Sequence, residues 1–191
     1  MARVGDGVMK TMLHNDLVKS FKAKDGSTVT IRLAKASDAT QIVATAKEIV
    51  NEGTFIQKEK VRTIDEEATF INEMNEKDNM YVVIQLEDHV IGIARLIRGE
   101  LEMKRHVGLF RTWLSTMGQG KGIGSRVMEY TLDWAEQHKL QKVVLTVFSK
   151  NVVAKKLYEK YGFVIEGVQK DQLCINGEFQ DEVYMAYFLN K

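Results

Sequence analysis

Proline is missing from all 191 residues, so turns must be made by Gly, Asn and Asp rather than by a ring-fixed φ. Cysteine occurs once, as Cys174, which excludes an intrachain disulfide and any need for an oxidising compartment. Neither sign of charge is in excess. Lys+Arg number 27 against 26 Asp+Glu, and the formal net charge of +1 gives no global field for nucleic acid or an anionic membrane. Residues 1–24 hold no secretory apolar core, and nowhere does an apolar run approach the ~20 residues that span a bilayer. The expectation is a cytoplasmic protein with no nucleic-acid or membrane partner, in which any anion site is local.

What is present is ordinary globular material: 45% hydrophobic and 28% charged residues, enough to bury a core for one domain. Lys24-Asp25-Gly26-Ser27 precedes the alternating Val29 to Leu33, the pattern of a hairpin around an Asp-Gly turn. Residues 1–27 are therefore read as an extension with one extra strand, and 28–191 as the domain. Ser37 or Asp38 caps a helix with Ala39, Ile42, Val43, Ala46, Ile49 and Val50 on its apolar face, ended by Gly53. Thr63-Ile64-Asp65-Glu66 is a capping box opening a second helix, with Ile64, Ala68, Ile71 and Met74 inward.

Met80 to Leu86 and Val90 to Ile97 read as an antiparallel pair, followed by a strand from His106 to Ser115. Gln119 to Gly124 then leads into a helix with Ile123, Val127, Tyr130 and Trp134 on one face. Val143 to Phe148 is nearly continuous apolar, as a strand covered on both faces should be, and a short helix from Asn151 to Tyr161 follows. Phe163 to Cys174 and Phe179 to Leu189 flank Asn176-Gly177, a strong hairpin signal.

Gln119-Gly120-Lys121-Gly122-Ile123-Gly124 carries the first chemical signal. Glycines let a backbone approach phosphate closely, and the free N–H groups of the following helix attract negative charge. The bland alternative is a tight turn packing strand on helix. A Walker loop fails because Lys121 is followed by Gly122 rather than Ser or Thr, and no register of these glycines satisfies the dinucleotide G-x-G-x-x-G spacing.

Gln119 to Gly124 does match Q/R-x-x-G-x-G/A at every defined position, the acyl-CoA pyrophosphate motif of the GNAT superfamily. Asn151-Val152-Val153-Ala154-Lys155-Lys156-Leu157-Tyr158-Glu159-Lys160-Tyr161-Gly162-Phe163, one strand downstream, is similar to that family's N-x-x-A-x-x-L-Y-x-K-x-G-F segment. By this pair of motifs the chain resembles the GNAT N-acetyltransferases, over roughly Val29 to Leu189. The late segment from Val164 to Glu182 looks like the branch acting on protein N-termini, polyamines or small amines.

The resemblance implies an α/β (α+β) fold with a mixed, mostly antiparallel sheet, splayed near its middle, and helices on both faces. It implies acetyl-CoA as cosubstrate, held by backbone N–H groups of Gln119, Gly120, Lys121, Gly122, Ile123 and Gly124. Thr112, Trp113 and Leu114 would align the pantetheine arm, and Asn151 would touch it while also serving as an N-cap. Tyr158 corresponds to the general acid that protonates the departing thiolate; outside the motif it would read as a core tyrosine. Transfer to a primary amine would be direct, with Cys174 a buried small hydrophobe rather than an acyl carrier. No metal site is assigned, and a homodimer is compatible with the family.

The general base is where the pattern breaks. Relatives often carry a Glu on the strand before the loop, whereas this chain reads Val107-Gly108-Leu109-Phe110-Arg111. Glu52, Glu100, Glu102 and His106 are candidates by location only, and Phe110 and Trp113 are candidates for lining the acceptor pocket. The missing carboxylate also leaves room for a non-catalytic acyl-CoA-binding regulatory module. A nucleotide-binding protein with an unusual glycine loop is a further alternative.

Overall fold

A computed structural model describes residues 18–51, 60–175 and 177–189. The strands are β1 (Lys19–Lys22), β2 (Thr28–Leu33), β3 (Met80–Leu86), β4 (His89–Arg98), β5 (Val107–Leu114), β6 (Lys142–Phe148), β7 (Val164–Ile175) and β8 (Glu178–Phe188). The helices are α1 (Ala39–Asn51), α2 (Ile64–Glu76), α3 (Ile123–Gln137) and α4 (Val152–Lys160). All eight strands form one sheet in the order β1-β2-β3-β4-β5-β6-β8-β7. Only the β5–β6 pair is parallel, as expected of a strand–helix–strand crossover through α3.

Side-chain alternation divides the core in two. On one face, Val82, Ile84, Ala94, Leu96, Phe110, Val143, Leu145, Val183 and Met185 pack under α3 and α4, with Trp134, Val127 and Tyr158. On the other, Tyr81, Val83, Val90 and Ile93 pack under α1 and α2, with Ile42, Ile71 and Met74. β1 pairs antiparallel with β2 around the Gly26 turn, so the extra strand is part of the sheet.

The element order follows the sequence reading closely, and the departures are local. The α2 capping box is present, with Thr63 accepting from the Glu66 N–H and Glu66 from the Thr63 N–H. Ile64, however, is 46% exposed, and Glu67 takes the inward place at 3%. The stripe through Ile71 and Met74 continues backwards to position 67 as readily as to 64. Asp38 does not stand at the cap of α1 itself; its carboxylate receives both Nη groups of Arg32 and the Lys35 N–H. Gly53 and Asn176 lie outside the described residues. Cys174 is exposed rather than buried, because β7 is the outer strand and most of it faces solvent. Among the described residues no helix is long and apolar enough to cross a membrane.

Candidate active site

The site begins where two strands part. β5 and β6 keep register only at Val107–Lys142, Gly108–Val143 and Leu109–Val144, although both run several residues further. On its other edge β5 pairs with β4 over its whole later length, from Arg98–Gly108 to Gly92–Leu114. The Ser115 N–H donates to the Ile91 carbonyl at 2.8 Å and the Gly99 N–H to the Val107 carbonyl at 3.0 Å. Those bonds fix the odd-numbered residues of β5 as the ones whose main chain turns to β4. By alternation, the N–H and C=O groups of Phe110, Thr112 and Leu114 turn to the opening.

Trp113 therefore cannot offer its main chain to a ligand in the gap, since it faces Ile93 in the ladder. Its indole instead lines a small cavity under α1 and α2 with Glu67, Tyr81 and Arg95. Phe110 goes the other way: it is buried beneath α4 with its ring edge-on to Tyr158, 6.4 Å between centroids. Only Trp113 of the two aromatic candidates sits on the α1/α2 side.

A short turn at Thr116–Gly118 carries β5 into the glycine segment. Gln119 closes this turn with its N–H on Thr116 O (3.2 Å) and its side-chain amide on Leu114 O (3.2 Å), so its role is to brace the loop. Gly120 and Gly122 have φ of +72° and +80°, and Gly122 is the N-cap of α3. Successive left-handed glycines turn their N–H groups to one side, beside the unsatisfied N–H groups of the first helical turn. A Cβ on Gly120 would meet nothing within 4 Å, so its side is open; one on Gly124 would lie 3.1 Å from Leu157 Cδ2, so that glycine lets α3 approach α4. Lys121 pairs with Asp25 at 2.9 Å, and its carbonyl accepts from the Lys24 N–H at 3.1 Å. Such a set of donors is of the kind that can hold a pyrophosphate-type anion.

α4 stands across the opening. Asn151 caps it through Oδ1, which accepts from the Ala154 N–H at 3.1 Å and leaves the amide NH2 for another acceptor. Tyr158 is 8% exposed. Burial pushes its phenol up to about 12, with Arg111 opposing, so the hydroxyl remains a proton donor across the neutral range.

Across the α1/α2 face runs a row that the motifs do not contain. Tyr81 faces Arg95, Arg95 faces Arg111, and Thr146 faces Tyr184 in register. Arg111 Nη1 donates to Thr146 Oγ1 at 2.6 Å and joins the two halves over the gap. Glu67 accepts from the Tyr81 hydroxyl and, at 3.1 Å, from Arg62 Nη1. Glu182, also buried, lies on the same face two residues before Tyr184 on β8, opposite Phe148. Glu100, Glu102 and His106 are exposed between β4 and β5, at the end of β5 remote from the glycine loop, with Glu100 paired to Lys77. They do not approach the opening; Glu52 lies outside the described residues.

The legible signal for Glu67 was its place four residues before Ile71 and seven before Met74, a carboxylate on an apolar helical face. Glu182 follows the alternation of β8 in the same way, on the face opposite Val183 and Met185.

An acetyltransferase (GNAT) domain model matches residues 31–184. The L-amino acid N-acetyltransferase AaaT of Escherichia coli (strain K12) is 30% identical over 55% of this chain, which spans 65% of that relative. An acetyltransferase of GNAT family from Streptococcus pneumoniae has a similar structure, with a TM-score of 0.80 and 27% identity over 85% of this chain and 99% of that one. A third, yncA from Salmonella typhimurium with acetyl-CoA, gives a TM-score of 0.78 at 19% identity, over 85% of this chain and 95% of that one. The overall fold is thus shared with these proteins, and the chain belongs to the GNAT superfamily of N-acetyltransferases.

Proposed function

We propose that this protein transfers an acetyl group from acetyl-CoA directly to a primary amine within a ternary complex. The observation that carries the reading is the parting of β5 from β6 after Leu109–Val144, next to the N-terminus of α3. The opening offers Phe110, Thr112 and Leu114 main-chain groups to the amides of a pantetheine arm, as an added strand would receive them. The N–H groups of residues 120–124 take the pyrophosphate, and the Asn151 amide NH2 contacts the arm. The acetyl-CoA-bound Salmonella relative supports this assignment of the cosubstrate.

Acetyl transfer forms one C–N bond, breaks one C–S bond and moves one proton overall from nitrogen to sulfur. An outward N–H of β5 donates to the oxyanion that develops on the carbonyl. Tyr158 gives its proton to the leaving sulfur, whose ordinary thiol pKa of ~8.5 makes it a fair leaving group. Glu182, buried on the α1/α2 face of β8 beyond the Arg111–Thr146 crossing, takes the proton from the amine. Cys174 is exposed on the outer strand opposite Phe179, a position that favours transfer without an acyl-enzyme.

The test is thiol release from acetyl-CoA with a panel of amines, alongside thermal shift with CoA, ATP and NAD. Amine-dependent release with stabilisation by CoA alone supports the reading. Stabilisation by CoA with no turnover would leave a non-catalytic acyl-CoA-binding module, and no stabilisation at millimolar CoA would remove both.

A further inference from the structure

We propose that the acceptor amine carries a carboxylate and that Arg95 binds it, making the substrate a small amino acid rather than a polyamine or an uncharged amine. This rests on the acetyl-transfer reading and adds the identity of the acceptor to it.

Arg95 stands mid-strand on β4, between Tyr81 on β3 and Arg111 on β5. Its guanidinium lies 5.3 Å from the Phe70 ring and 5.5 Å from the Tyr81 ring, and its Nε is buried without a hydrogen-bond partner. A guanidinium has five donors and no acceptor, and a buried donor left unpaired is costly and uncommon. Ring faces offer charge attraction but not the two in-plane acceptors this fork is shaped for. A carboxylate supplies them.

The surrounding charge has the same sign. Arg62 and Arg111 both act on Arg95, and the oxygens of Glu67, the carboxylate that acts on it among the described residues, are already taken by Arg62 and Tyr81. Burial lowers the pKa of Arg95, and Arg62 and Arg111 push it in the same direction against Tyr81 and Glu67. An anion arriving here relieves both desolvation and like-charge repulsion, whereas a polyamine would add to them.

Shape narrows the choice further. The cavity lined by Arg95, Glu67, Tyr81 and Trp113 has room for about one water, the space that one carboxylate oxygen would fill, and it excludes a chain. Its Trp113 wall is on β5, the strand that borders the opening. An amine held by its carboxylate at Arg95 would extend toward the Arg111–Thr146 crossing, with Glu182 beyond it.

The experiment compares matched acceptors, each L-amino acid against its own primary amide, with spermidine as a third arm. Thiol release should show kcat/KM higher for the acid by at least ~10²-fold, since a site built to hydrogen-bond a group rejects analogues that lack it. Arg95→Met should abolish that ratio and Arg95→Lys restore part of it, both with KM for acetyl-CoA unchanged. The wild-type comparison stands even if a variant fails to fold. Equal rates for acid and amide, or preference for spermidine, would overturn the inference while leaving acetyl transfer in place. Binding of acetyl-CoA with no amine turned over would overturn both.

Discussion

Arg111 donates through Nη1 to the Thr146 hydroxyl at 2.6 Å, across a gap where the β5–β6 ladder has already ended. A side-chain bridge thus does at this level what main-chain bonds do below it. It limits how far the strands separate while leaving their backbone edges open, which suits a slot for an extended ligand.

Thr146→Val keeps volume and β-branching but removes the acceptor. Loss of a hydrogen bond to a charged group should cost about 1.5–3 kcal/mol by urea unfolding. Affinity for CoA should fall with it, measured by calorimetry. An unchanged midpoint and affinity would mean that the bridge does not hold the slot.

Tyr158→Phe retains the ring packed on Phe110 and Phe163. If the hydroxyl is the proton donor, kcat should drop by ~10² to 10⁴-fold with acetyl-CoA affinity nearly intact. A variant that loses affinity instead would give the hydroxyl a binding role. Undiminished turnover with chemistry rate-limiting would assign protonation to water.

Glu182→Gln tests the base. The expected result is a fall of ~10²-fold or more in kcat at neutral pH, with CoA binding kept. A rise in KM for the amine with kcat unchanged would point to a positioning role.

Gly122→Ala should weaken CoA binding through backbone conformation rather than collision. At φ +80° any L side chain is strained, by roughly 1–2 kcal/mol, while the nearest atom to an added Cβ is Lys24 Cε at 3.4 Å, an ordinary contact. Thermal shift with and without CoA separates lost stability from lost affinity. A full CoA-induced shift in the variant would make the loop purely structural.

Alkaline pH should unfold the protein from a defined point. Burial raises the phenols of Tyr81, Tyr130 and Tyr158, the last to about 12. Below the ordinary phenol value of ~10 both folded and unfolded chains hold these protons, so nothing is lost. Above it the unfolded chain releases them first, and stability should fall by up to ~1.4 kcal/mol per pH unit for each such tyrosine. Urea midpoints at pH 9, 10 and 11 check this; a flat series would contradict it.

The glycine loop, α4 and the order of strands were readable because each is specified by residues adjacent in sequence: a capping Asn151, an Asp-Gly turn, a run such as Val143 to Phe148. The acceptor face was not. Arg95, Arg111 and Thr146 sit far apart in the chain, and they meet only through strand register, which a shift of one residue would send to the opposite face. Glu67 shows a milder form of the same limit, since helical spacing allowed either Ile64 or Glu67 inward. What selects Glu67 is the waiting Tyr81 hydroxyl and Arg62. Cys174 was misjudged because apolar alternation does not reveal that a strand is outermost.

The tip of the β1–β2 hairpin rests on the glycine loop, through the Lys24 N–H on the Lys121 carbonyl and the Asp25–Lys121 ion pair. An outer strand of four residues would ordinarily fray. Tied to the loop, its ordering and the occupancy of the loop share one equilibrium, and linkage makes the coupling mutual. Whatever free energy the strand lends to the ligand, the ligand returns to the strand. Amide exchange in residues 19–22 then becomes a remote gauge of cosubstrate binding, slowing as the loop fills.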